Sequence, residues 1–130
     1  MPRTQRALSL VALLIALQVV PTLASGAEQS FAEGAFRGLL AAIEAHSIDQ
    51  FTTLGDEGFK AMPQSEFDGL AARFAPMLNA GYKASYLGEF KQKDTVVHYW
   101  KLTFTSDPDD YLAKLGVRDG KLRGFLIQRP

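Results

Sequence analysis

The chain has 130 residues, 14 basic against 14 acidic side chains, 47% hydrophobic residues and no cysteine. That length allows one ordinary domain with one core, and a net charge of zero disfavours a general binder of nucleic acid or anionic membranes. Without cysteine there is no disulfide framework, no lipid attachment at a leader cysteine and no paired-cysteine metal or redox motif.

The first 27 residues resemble an export signal. Arg3 and Arg6 open it, Leu8 to Val20 is an apolar run short for a bilayer, Pro21 breaks the run, and small residues suited to cleavage follow at Ala24 and at Ser25-Gly26-Ala27. An uncleaved anchor is the alternative reading of the same run. Cleavage is expected to leave residues 28–130 as one domain, periplasmic or secreted, with no stable membrane association. In that domain residues 28–79 hold 3 basic and 8 acidic side chains, whereas residues 80–130 hold 9 and 6. The first half is acidic and the second basic.

Ser30 and Glu33 have the spacing of a capping box, so a helix is expected to start there. Phe31, Ala35, Phe36, Leu39, Leu40 and Ile43 recur at three and four residues along it. Ser47-Ile48-Asp49-Gln50 predicts a second, shorter helix through Ile48, Phe51 and Leu54, with His46 near the negative end of the first. Phe59 and Met62 form a small apolar patch before Pro63. Phe67, Leu70, Ala71, Phe74 and Leu78 predict a third helix, loosened by Pro76 and ended by Asn79-Ala80-Gly81.

Strand signals follow. Tyr82, Ala84, Tyr86, Gly88 and Phe90 alternate with other residues, as do Val96, His98, Trp100, Leu102 and Phe104. Placing both sets on one face requires an odd loop, and a three-residue Gln92-Lys93-Asp94 turn with Asp94 left-handed satisfies this. Tyr86 then faces Trp100, and Gly88 faces His98. After the turn Ser106-Asp107-Pro108-Asp109-Asp110, Asp119-Gly120 predicts a tight hairpin pairing Arg118 with Lys121. One face of it carries Tyr111, Ala113, Leu115, Val117, Leu122, Gly124 and Leu126. The other carries Lys114, Arg118, Lys121 and Arg123 with Leu112, Phe125 and Ile127. Three helices followed by a four-stranded antiparallel meander make an α+β domain with the helices on one sheet face.

Helices first, then a sheet closing with the hairpin Val117-Arg118-Asp119-Gly120-Lys121-Leu122-Arg123-Gly124-Phe125-Leu126-Ile127, resembles a small secreted nuclear transport factor 2-like domain. The segment Ala45-His46-Ser47-Ile48-Asp49-Gln50-Phe51 adds to the likeness, which covers about residues 31–127. The resemblance implies a cone in which a curved sheet wraps the helices around a pocket. Ketosteroid isomerase-like members use an early-helix tyrosine and inward carboxylates. The first helix here has no tyrosine, and the predicted inward strand positions hold no Asp or Glu, so that catalytic set is not carried over.

His98, Trp100, Tyr86 and Phe90 are the candidate ligand-binding residues: an imidazole offers a hydrogen bond or a general base, and aromatics offer stacking. The same residues also read as core, with His98 bonded to Tyr86 or to a backbone carbonyl. Asp107, Asp109 and Asp110 lack the spacing of a calcium loop, and His46 and His98 lie in different elements, so neither a metal nor a cofactor is expected. Lys114, Arg118, Lys121 and Arg123 read as a solvated face or as a patch for an acidic partner. Leu87, Val97, Tyr99, Leu112, Phe125 and Ile127 form an outer apolar strip, the face through which relatives of this kind often pair. The expectation is a secreted, non-catalytic domain that binds a small ligand or serves as an accessory protein. A lyase or isomerase with His98 as base and Tyr86 as donor is one alternative, and a homodimeric interaction module using Leu87, Val97, Tyr99 and Phe125 is another.

Overall fold

The structure, a computed structural model, describes residues 26–130. The expected export signal lies outside the described residues except for Gly26 and Ala27. No helix among the described residues is long and apolar enough to cross a membrane. The chain divides into two units, the second of which is the compact unit of residues 34–130. Residues 26–44 are helical throughout, and the part in the second unit, residues 34–44, is called α1. Ser30 therefore sits inside helical residues instead of capping a start, because Ala27, Glu28 and Gln29 before it are compatible with helix and nothing interrupts them. Phe31, expected on the apolar stripe, is 36% exposed.

In the second unit α1 buries Ala35, Phe36, Leu39, Leu40, Ala42 and Ile43. It ends at His46, which adopts the left-handed conformation (φ 54°), while the Ser47 amide bonds back to the Ala42 carbonyl at 3.0 Å. This is a Schellman-type stop, and histidine is among the side chains enriched in that region of φ/ψ space. Ser47 caps α2 (Ile48–Thr52) by accepting from the Gln50 amide at 3.2 Å. α2 stops short of Leu54, which is 46% exposed. The Phe59 patch forms an additional short helix, α3 (Glu57–Lys60), because the Asp56 carboxylate caps the Phe59 amide at 2.9 Å. α4 (Gln64–Asn79) follows Pro63, runs through Pro76 and buries Phe67, Ala71, Phe74, Ala75 and Leu78 along one stripe.

The strands β1 (Tyr82–Gln92), β2 (Thr95–Phe104), β3 (Asp110–Arg118) and β4 (Lys121–Gln128) form one open antiparallel sheet in chain order. The fold is α+β, helices first and meander second, as the periodicity predicts. The registers depart from expectation in both hairpins. Gln92 pairs with Thr95, so the first turn has two residues, with Lys93 and not Asp94 left-handed (φ 58°). Parity is restored by a bulge at Leu87: Tyr86 faces Trp100, but Gly88 faces Tyr99 and Glu89 faces His98. In the second hairpin Arg118 pairs with Lys121 as expected, while a register shift leaves Arg123 unpaired between Val117–Leu122 and Gly116–Gly124. Beyond it Phe125 and Ile127 turn inward, opposite Leu115 and Ala113, while Gly124 and Leu126 move to the outer face. The reversal fits apolar size, since two large side chains enter the core where a glycine and a leucine were expected.

The core is largely aromatic. Phe36 stacks on Trp100 with centroids 4.1 Å apart and planes 7° off parallel, and Phe125 packs against Phe36 and Phe51 at 6.3 and 5.8 Å. Phe74 meets Phe104 and Tyr111 at 6.3 and 5.9 Å. The start of β4 is also held to the α2–α3 loop: Leu122 donates to the Leu54 carbonyl, and its own carbonyl accepts from Asp56, both at 2.9 Å.

Candidate functional site

β2 positions the inner-face candidates. Alternation points His98, Trp100, Leu102 and Phe104 to the helices, and all four are buried. His98 is 2% exposed, and its Nδ1 shares a 3.0 Å hydrogen bond with the Tyr86 hydroxyl, donor and acceptor being set by the imidazole tautomer. The Tyr86 ring meets Trp100 edge-on, with centroids 5.4 Å apart at 65°. The structure thus brings together three of the four predicted ligand-binding residues. Trp100 is fully buried and stacked on Phe36, while Tyr86 is half-buried.

Phe90 does not join them. The Leu87 bulge puts it opposite Val97 on the outer face, where it is 65% exposed and its ring meets Tyr99 edge-on at 5.5 Å. The same bulge brings in a residue that sequence reasoning missed: Glu89 faces His98, with its Oε2 3.9 Å from Nδ1. The expectation of no carboxylate at inward strand positions is corrected by that contact. Gly88 carried the available signal, because an isolated glycine in an alternating strand is a common mark of a bulge.

Asp107 is committed to structure. It accepts from the Asp109 amide at 2.9 Å and the Tyr111 hydroxyl at 2.8 Å, and lies 3.7 Å from Arg129. Those two hydrogen bonds, with help from the Arg129 charge, hold its carboxyl below the usual carboxylate range. Arg129 donates to the Tyr111 hydroxyl at 3.3 Å, a bond that pushes its own pKa up. Asp110 accepts from Thr103 at 2.7 Å. Among the described residues no group of three or more His, Asp or Glu side chains is placed to hold a metal ion.

The outer face carries a concavity of about 360 Å³ between β2, β3 and β4. Gly116 and Gly124 are cross-strand partners, and Val97 continues their row on β2. The next row is Tyr99, Lys114 and Leu126. Arg123 lies along the rim, donating to Thr95 Oγ1 at 3.2 Å and reaching Asp94 at 3.6 Å. Asp94 also pairs with Arg118 at 3.2 Å, so the predicted basic patch is only partly neutralised.

No family model matches the chain, and no curated protein matches it. It is similar to the crystal structure of an uncharacterised cystatin-fold protein from Novosphingobium aromaticivorans, with 17% identity and a TM-score of 0.42, covering 74% of this chain and 96% of that one. It is also similar to TerC co-crystallised with polyporic acid, with 16% identity and a TM-score of 0.43, covering 75% of this chain and 89% of that one.

Proposed function

We propose that this chain is an exported, non-catalytic binding domain of the nuclear transport factor 2-like kind, which meets its ligand or partner on the outer face of its sheet. The burial of His98 is the observation that carries this reading. A general base must come within hydrogen-bond reach of the proton it removes, and the His98 ring is 2% exposed with Nδ1 already bonded to Tyr86. Glu89, at 3.9 Å, is beyond hydrogen-bond range of that nitrogen, which weakens the lyase or isomerase alternative. The outer face, by contrast, offers a concavity together with exposed apolar side chains.

Nuclear magnetic resonance tests the choice of face. As a mixture of small acids, amines and alcohols is added, the backbone amides of Val97, Tyr99, Lys114 and Leu126 are expected to shift while the Trp100 indole stays in place. Shifts led by the Trp100 indole and the His98 ring would return the site to the inner face and revive the enzymatic alternative.

A homodimer through the outer face is the second reading. It is favoured by the exposure of Phe90 (65%), Leu87 (58%) and Leu126 (48%), an unusual amount of large apolar surface for strands that otherwise alternate with polar residues.

A further inference from the structure

We infer that the outer-face concavity is a binding site for a small organic anion with a flat apolar body. The inference rests on the outer-face reading above and adds the chemical class of the ligand. The floor is the first observation. Gly116 and Gly124 face each other across β3 and β4; the Thr95 methyl lies against the Gly116 position, while the backbone at Gly124 is bare. A Cβ added at Gly124 would meet nothing within 4 Å, so the space above it is open. The bare floor suits a planar group lying against it. Val97 and Leu126 supply apolar contact, and the Tyr99 ring supplies an aromatic wall.

Charge is the second observation. Two cations, Lys114 and Arg123, line the concavity, and no carboxylate does. Lys114 has no ion pair among the described residues. Arg123 shares the single Asp94 carboxylate with Arg118, which leaves the rim positive. A neutral ligand would gain nothing from the half-buried, hydrated ammonium, whereas an anion would gain a charge-assisted hydrogen bond. The hollow is shallow and open to solvent, and its volume of about 360 Å³ lies at the small end of the range of small-molecule sites.

The test is isothermal titration of the protein with 2-naphthoate and with its neutral counterpart 2-naphthamide, alongside amide shift mapping. Saturable binding is expected, tighter for the acid. Lys114→Met keeps the aliphatic stem and should weaken naphthoate about ten-fold while leaving naphthamide unchanged. Gly124→Leu fills the open space and should remove binding of both, with the unfolding midpoint checking that the variant is folded. Equal affinity for acid and amide, or unchanged binding to Gly124→Leu, overturns the assignment. If neither probe binds and the outer-face amides instead move on self-association, the occupant is a second copy: the ligand class fails and the outer-face reading stands. If the Trp100 indole leads the shifts, both fall.

Discussion

Gly88 shows how much one residue decides. Its φ of 142° is a conformation that side-chain-bearing residues rarely adopt, and it sits where the register of β1 against β2 changes. The extra residue at Leu87 sends Phe90 outward and turns Glu89 toward His98. Space is not the constraint, since a Cβ at Gly88 would meet nothing within 4 Å. Gly88→Ala is therefore expected to cost roughly 1–3 kcal/mol through backbone strain alone. Urea unfolding measures this, and stability equal to the parent would show that the bulge tolerates a side chain without strain. His98, Trp100 and Tyr86 were legible in the sequence because period-two alternation needs no knowledge of the partner strand. Glu89 was not, because its face depends on a bulge whose only sequence mark is that glycine.

At the level of elements, the two hairpins pose the same parity problem. For β1 and β2, a three-residue turn without a bulge and a two-residue turn with one give identical pairing far from the turn and different pairing near it. Tyr86 opposite Trp100 is thus common to both, whereas the partner of His98 is not. For β3 and β4, Asp119-Gly120 sets the turn, with φ values of 51° and 71° that match the left-handed pair such a turn requires. The Arg123 bulge then exchanges the faces of Gly124 and Leu126 with those of Phe125 and Ile127, so Phe125 leaves the expected dimer strip for the core. The β2–β3 connection carries a pH-dependent tie. Asp107 has a lowered pKa when folded, so its contribution is complete above the unfolded carboxylate value of about 4 and is lost as pH falls through the folded value. Unfolding midpoints measured from pH 6 down to pH 2 should fall less steeply for Asp107→Asn than for the parent. Parallel curves would mean that the tie to Asp109 and Tyr111 contributes nothing to acid stability.

For the whole molecule, the outer sheet face carries the exposed apolar side chains Leu87, Phe90 and Leu126, on which the second reading, a homodimer, is tested. On that second reading, sedimentation analysis over a range of concentrations shows a dimer that weakens when Phe90→Asp places charge on the exposed strip; a monomer at every concentration rejects the pairing. The sequence alone determined the class of fold. Helical stripes in residues 35–78 and alternating strands after residue 82 are local periodicities, and each element must bury its apolar side whatever its neighbours are. Asp119-Gly120 and the caps at Ser47 and Asp56 are likewise local, because a turn or cap is made by adjacent backbone. Only the tertiary structure decided which residues share a face beyond each bulge, and hence that the inner histidine is closed off while a glycine pair opens a cationic hollow outside. A one-residue shift in pairing reverses every later side chain, and its position depends on how large residues such as Phe125 fit against helices distant in the chain.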